Sequence, residues 1–170
     1  GARVDVVDIR HADLIAPIYL HIVLSDAVAY HAATLDSMPE RYTEPVRTRL
    51  EMGRSILAED YVGALNGRET LRREVDAALS GRDALVMPSV PIPAPTLGVP
   101  HIRVGHQEEP VRNLTLRLTQ LFDLTGHPAI SLPMAPTPSG LPCGFQLAGA
   151  RGQTNALLEA ALAVEHVFRT

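Results

Sequence analysis

Asp83-Ala84-Leu85-Val86-Met87-Pro88-Ser89-Val90-Pro91-Ile92-Pro93-Ala94-Pro95 is the stretch that decides the fold. Its first part is a short unbroken apolar run, the pattern of a strand buried on both faces. Its second part is dense in proline, which cannot donate to a ladder, so the strand must open into an irregular segment. On its N-terminal side, Ser55 is placed to cap a helix that runs to Ser80 and stops at Gly81. The apolar stripe of that helix is Leu57, Tyr61, Ala64, Leu65, Leu71, Val75, Ala78 and Leu79, at helical spacing. Glu69/Arg73 and Arg72/Asp76 stand four apart on its outer face. On the C-terminal side the chain stays loop-like to Pro110, and a helix is predicted over Val111 to Phe122. Pro128 to Leu132 reads as a second buried strand. Pro136 to Gly140 forms a turn, and Gly144 to Leu147 is the returning arm of a hairpin-like pair. Thr154 caps a last helix, Asn155 to Phe168, with Leu157, Ala161, Val164 and Phe168 on one face.

Working back to the start, Val4 to Ile9 alternates apolar and acidic residues and predicts a strand. Asp13 to Ser37 is Ala-rich and free of Gly, which predicts a buried helix with Pro17 in or near its first turn. Met38-Pro39 ends it, and Thr43-Glu44-Pro45 starts a short helix through about Met52. The fold class is therefore α/β, a layered mixed sheet flanked by helices, in one region spanning residues 1–170. About four strands against some five helices leave the Val86 and Ile130 strands with bare edges, although neither looks like an edge strand. The sheet is expected to be incomplete in this chain.

Composition narrows the function classes. The chain has 170 residues, is 46% hydrophobic and 20% charged, and carries a net charge of −4. That is a globular composition with no basic footprint for nucleic acid. With 4% aromatics and no Trp, stacking platforms are also disfavoured. The apolar run Leu14 to Leu24 is broken by Pro17 and His21 and has no basic leader, so neither a signal peptide nor a membrane span is expected. One cysteine fits a reducing compartment, and a soluble cytoplasmic protein is the expectation. All 15 basic residues are Arg. Mechanisms that need a lysine base or Schiff base are thus absent from these residues.

Three ordered blocks carry a resemblance: Asp83 to Pro95, then Arg117-Leu118-Thr119-Gln120-Leu121-Phe122-Asp123-Leu124-Thr125-Gly126-His127-Pro128-Ala129-Ile130-Ser131, then Gly140-Leu141-Pro142-Cys143-Gly144-Phe145-Gln146-Leu147-Ala148-Gly149. Together they resemble the C-terminal part of the amidase signature family, and Gly1-Ala2, Asp26-Ala27, Gly53, Asp60-Tyr61, Ala64 and Arg68 have family counterparts. The resemblance implies a larger α/β enzyme that hydrolyses small-molecule amides without metal or cofactor. Its serine nucleophile would be activated through a second, cis-peptide serine by a lysine, with backbone N–H groups holding the oxyanion. This chain has no Lys, no Gly-Gly and no Ser-Ser. It is expected to be the C-terminal portion of such an enzyme and inactive alone, so no catalytic residue is assigned to it. Leu121-Phe122-Asp123-Leu124 replaces the family's P-F-N-L. Val28 to Ala33 stands where tRNA-linked members carry an arginine-containing run, which favours a general amidase.

By that resemblance Ser89, Thr119, Phe122 and Asp123 line the substrate funnel, beside strand ends where α/β folds place ligand crevices. Packing a loop and capping a helix are the competing roles for the same residues. His11, His21 and His31 are ten apart, about 280° of helical rotation, and share no face. His101, His106, Glu108 and Glu109 have zinc-compatible chemistry but sit in a predicted loop, and no metal site is assigned. Cys143 reads as a buried strand thiol, Ser89 and Ser131 as parts of structural blocks, and His127 replaces the family's usual residue. Gly126, Gly140, Gly144 and Gly149 serve turns and close approaches. The rival reading is a non-catalytic binding module that covers its bare sheet edge by pairing into a homodimer.

Overall fold

A computed structural model describes residues 2–169, the side chains of 168 and 169 excepted. The chain divides into two compact units, His11–Leu71 and Gly1–Arg10 with Arg72–Thr170.

In the first unit a 3-10 turn, Ala12–Leu14, leads into α1 (Ile15–Ser37). Pro17 falls in the first turn, where a missing N–H costs no intrahelical bond. The helix packs against α2 (Glu44–Gly53), and Ile18, Ile22, Leu24, Leu35 and Leu50 of this unit are buried. The crossing is tightest at Gly53, where a Cβ would collide with the Leu24 carbonyl oxygen. The expectation of a buried helix is corrected here. Leu20 is exposed and Tyr30 is 85% exposed, because apolar residues surround α1 on all sides and this unit covers only one of them. By length and composition alone, the helix over 12–37 could cross a membrane. Thr43 takes the N-cap position of α2 with extended backbone, and its carbonyl accepts from the N–H groups of Val46 and Arg47. Ser55 does not cap the next helix. Its N–H closes the end of α2 on the Met52 carbonyl, and α3 (Ala58–Leu79) begins later, with the Leu57 carbonyl accepting from Tyr61.

The second unit holds the sheet. Its elements are β1 (Leu85–Pro88), β2 (His101–Val104), β3 (Gln107–Pro110), α4 (Val111–Leu116), α5 (Gln120–Thr125), β4 (Ala129–Met134), β5 (Cys143–Ala148) and α6 (Thr154–Arg169). Strand β5 is central, with β1 and β4 antiparallel on either side as the edges. Leu132 and Leu147 pack on Leu157 and Ala161 of α6, with Ile130, Phe145 and Val164 around them. Each such leucine contributes about 1.5–3 kcal/mol of burial. The α/β class with helices against the sheet is as expected, and every described ladder is antiparallel.

Four local expectations are corrected. Val4 to Ile9 forms no strand: it has no ladder partner among the described residues, and Val6 is fully exposed. The stretch to Pro110 is not all loop, since β2 and β3 pair as a hairpin around Gly105-His106, with Gly105 at φ +61°. The helix over 111–122 is two helices. Thr115 and Thr119 hydroxyls bond back to the carbonyls of Arg112 and Leu116, competing with the helical ladder at the break. Thr154 is the first helical residue of α6 rather than its cap, because the Gln153 carbonyl accepts from Leu157. Phe168, assigned to the buried face of α6, lies outside the described side chains.

Candidate functional site

Cross-strand partners in a sheet point to the same face. Gln146 of β5 is paired with Met87 of β1 and Ser131 of β4, and Gly144 with Pro133. These residues therefore share the face opposite the one that Leu147, Phe145 and Leu132 turn toward α6. Ser89 follows β1 directly and donates its backbone N–H to the Gly144 carbonyl at 2.9 Å. Its hydroxyl then meets that of Ser131 at 2.5 Å, above Gly144. A Cβ at 144 would lie 2.5 Å from Ser89 Oγ and 2.8 Å from Ser131 Oγ, so only glycine leaves room for the pair. Ser131 is exposed and Ser89 is half-buried.

The other residues expected at a substrate wall lie near the same face or turn away from it. Gln146 is buried and donates its amide Nε2–H to the Leu118 carbonyl at 3.0 Å, which ties the α4–α5 connection to this side of the sheet. Thr119 is the next residue, half-buried, with its hydroxyl on the Leu116 carbonyl. Phe122 turns inward with 4% exposure, beside the buried Leu121 and Leu124, while Asp123 stands exposed on α5. Ser89 lies on this face, Thr119 follows the residue that Gln146 holds, Phe122 is buried and Asp123 is exposed, so the four are not brought together. Sequence reasoning missed Ser131 and Gln146 as members of this face. The signal that could have found them is Gly144 inside a strand, which marks a close approach.

A second polar cluster lies in the same unit. His127 is buried, with Nδ1 2.9 Å from Thr125 Oγ1 and Nε2 3.1 Å from Asp76 Oδ1. Asp76 also accepts from Arg151 at 3.0 Å, and Arg72 donates to the Thr125 carbonyl at 2.9 Å. Burial pushes the His127 pKa down, against the hydrogen bond and charge of Asp76, and Arg151 and Arg72 push the same way as burial. The Arg151 hydrogen bond, assisted by that of His127, holds the Asp76 carboxyl below its ordinary value. Gly126 caps α5 at φ +74° and turns the chain so that His127 enters this cluster. In the first unit, Tyr61 donates its hydroxyl to Asp26 at 2.9 Å, and that bond raises the phenol pKa.

Glu109 forms an ion pair with Arg117, and His101 and His106 stand at the start of β2 and in the hairpin turn. Among the described residues no group of three or more His, Cys, Asp and Glu is placed to hold a metal ion. Cys143 begins β5 half-buried rather than buried, its Sγ 3.9 Å from the Leu141 carbonyl. The hydroxyl of Ser89 is partnered by that of Ser131 and not by a base. As it stands, the face can hydrogen-bond a polar group.

The family model described as Amidase matches residues 1–158. An amidase of Pseudomonas putida is 33% identical over 174 residues, covering 97% of this chain and 35% of that protein. A glutamyl-tRNA(Gln) amidotransferase subunit of Synechococcus sp. (strain CC9902) is 35% identical over 131 residues, covering 74% of this chain and 26% of that protein. A crystal structure of an amidase superposes with a TM-score of 0.87 at 32% identity, over 92% of this chain and 36% of the other. The chain spans about a quarter to a third of the length of these relatives.

Proposed function

Since the chain belongs to the amidase family, we propose that it is the C-terminal portion of an amidase-type hydrolase that converts a carboxamide to a carboxylate plus ammonia or amine. The observation that carries this reading is a contrast. Family likeness covers nearly the whole chain, yet the sequence holds no Lys, no Gly-Gly and no Ser-Ser. The nucleophile, its relay serine and its lysine base would then be supplied by residues outside this chain, which contributes substrate-binding wall and scaffold. The exposed side of α1 and the edges β1 and β4 would pack against that remaining part. The substrate is a small-molecule amide, and the net charge of −4 supports independence from nucleic acid. A cytoplasmic location without membrane insertion is part of the same reading. The polar His21 and Asp26 lie within the helix that is long and apolar enough to span a bilayer. Incubating the isolated chain with a chromogenic amide tests the proposal: no saturable hydrolysis is expected, and saturable turnover would sink it.

One observation favours a second reading. Among the described residues the sheet has three strands, with β1 and β4 at its edges, and an unpaired edge is a template for a second copy. A non-catalytic module that pairs edge to edge would run as a dimer in light scattering. A strictly monomeric, cooperatively folding chain contradicts it.

A further inference from the structure

The Ser89–Ser131 hydroxyl pair is built in a way that folding alone does not require. Ser131 is exposed and Ser89 only half-buried, so water can satisfy these hydroxyls and their mutual bond adds little stability. A glycine inside a strand weakens it and marks a place where something approaches closely. Here the cost at Gly144 leaves room for two side chains from opposite edge strands to meet over the centre of the sheet. The 2.5 Å contact takes up one hydroxyl hydrogen. The pair is left with one further O–H donor and several lone pairs, and of the two serines Ser131 is the exposed one. That set complements a neutral group able both to give and to accept a hydrogen bond.

We propose that Ser131, paired with Ser89 over Gly144, is a specificity-determining residue that hydrogen-bonds a neutral hydroxyl or carboxamide on the substrate, away from the bond that is cleaved. This rests on the amidase reading and adds to it the chemical class of the substrate. The pair binds and orients; it takes no part in bond breaking. Gln146 holds the floor of the same face by its bond to the Leu118 carbonyl, leaving the serine hydroxyls as the adaptable contacts.

The test uses the protein as its host produces it, with ammonia release measured on matched amides: lactamide against propionamide, and succinamide against pentanamide. The wild type is expected to prefer the polar member of each pair by about tenfold, the change that one hydrogen bond makes. Ser131→Ala is expected to bring the ratio near one, chiefly through KM on the polar member, with an unchanged melting midpoint. Gly144→Ala, which drives both hydroxyls away, is expected to abolish the same preference. A wild type with no preference, or a Ser131→Ala variant that keeps the ratio or weakens both members equally, overturns the proposal while leaving the amidase reading intact. Release of ammonia from none of the four amides overturns the amidase reading and this proposal with it.

Discussion

His127 places its Nε2 3.1 Å from Asp76 Oδ1, with its own side chain wholly buried and the carboxylate 41% exposed. The carboxylate accepts, so Nε2 carries the hydrogen. The other ring nitrogen faces the Thr125 hydroxyl, which also lies 2.8 Å from the Leu121 carbonyl. Thr125 has a single hydroxyl hydrogen. Thr125 donates that hydrogen to the Leu121 carbonyl, and its oxygen is the acceptor for Nδ1–H when His127 is charged.

Stability is expected to depend on pH through this cluster. Burial lowers the His127 pKa in the folded chain, so the unfolded chain, titrating near 6.5, takes up the proton first. The contribution is full above that value and is lost as the pH falls through the lower folded-state value. Asp76, held below 3.8, adds a second decline only in stronger acid. Melting midpoints across pH should fall on acidification through the first window, and His127→Asn should flatten that part of the curve. A decline of equal slope in the variant would show that other groups are responsible.

Thr125→Val removes the partner of Nδ1 while keeping the shape of the side chain. Thr125 is completely buried, so the orphaned ring nitrogen has no water to turn to. A loss of about 1–3 kcal/mol is expected in denaturant unfolding. No measurable loss would mean that the imidazole finds another partner.

Gly53→Ala tests the close crossing of α1 and α2. The added methyl meets the Leu24 carbonyl, which is backbone and cannot rotate aside. Overpacking of this kind costs roughly 1–3 kcal/mol. The comparison is Gly63→Ala, on an open side of α3 with nothing within 4 Å, where a small gain from helix propensity is expected.

Leu147→Ala empties the centre of the cluster beneath α6, where Leu147 is 2% exposed against Leu132 and Leu157. The expected cost is about 2–5 kcal/mol by denaturant unfolding, with the range set by how far α6 can settle into the gap.

What the sequence made legible follows from how local each signal is. The apolar run at Leu85 to Met87, the Pro-Thr-Pro-Ser-Gly turn before β5 and the 3.6-residue stripe of α6 each appear at the expected position, but the first is an edge strand with Val86 47% exposed rather than a strand buried on both faces. The hairpin over 101–110 was hidden because Gln107-Glu108-Glu109-Pro110 has little strand propensity, and its partner strand and turn decide it. Val4 to Ile9 fails for the converse reason: its alternation is right, but a strand exists only with a neighbour. The break between α4 and α5 depends on threonine side chains choosing backbone carbonyls, which periodicity does not register. At the candidate site, Ser89 was readable from its block. Ser131 was not, because its importance arises from a meeting of residues 42 apart in sequence.

The central claim is that amide hydrolysis belongs to a longer protein of which these residues are the C-terminal portion. The most direct measurement is the intact mass of the species that carries amide-hydrolysing activity through purification from the host, with this sequence followed by peptide mapping. Activity should travel with a species well above 18.4 kDa that contains these residues. Activity that travels with a species of 18.4 kDa, holding this sequence and nothing more, would contradict the account.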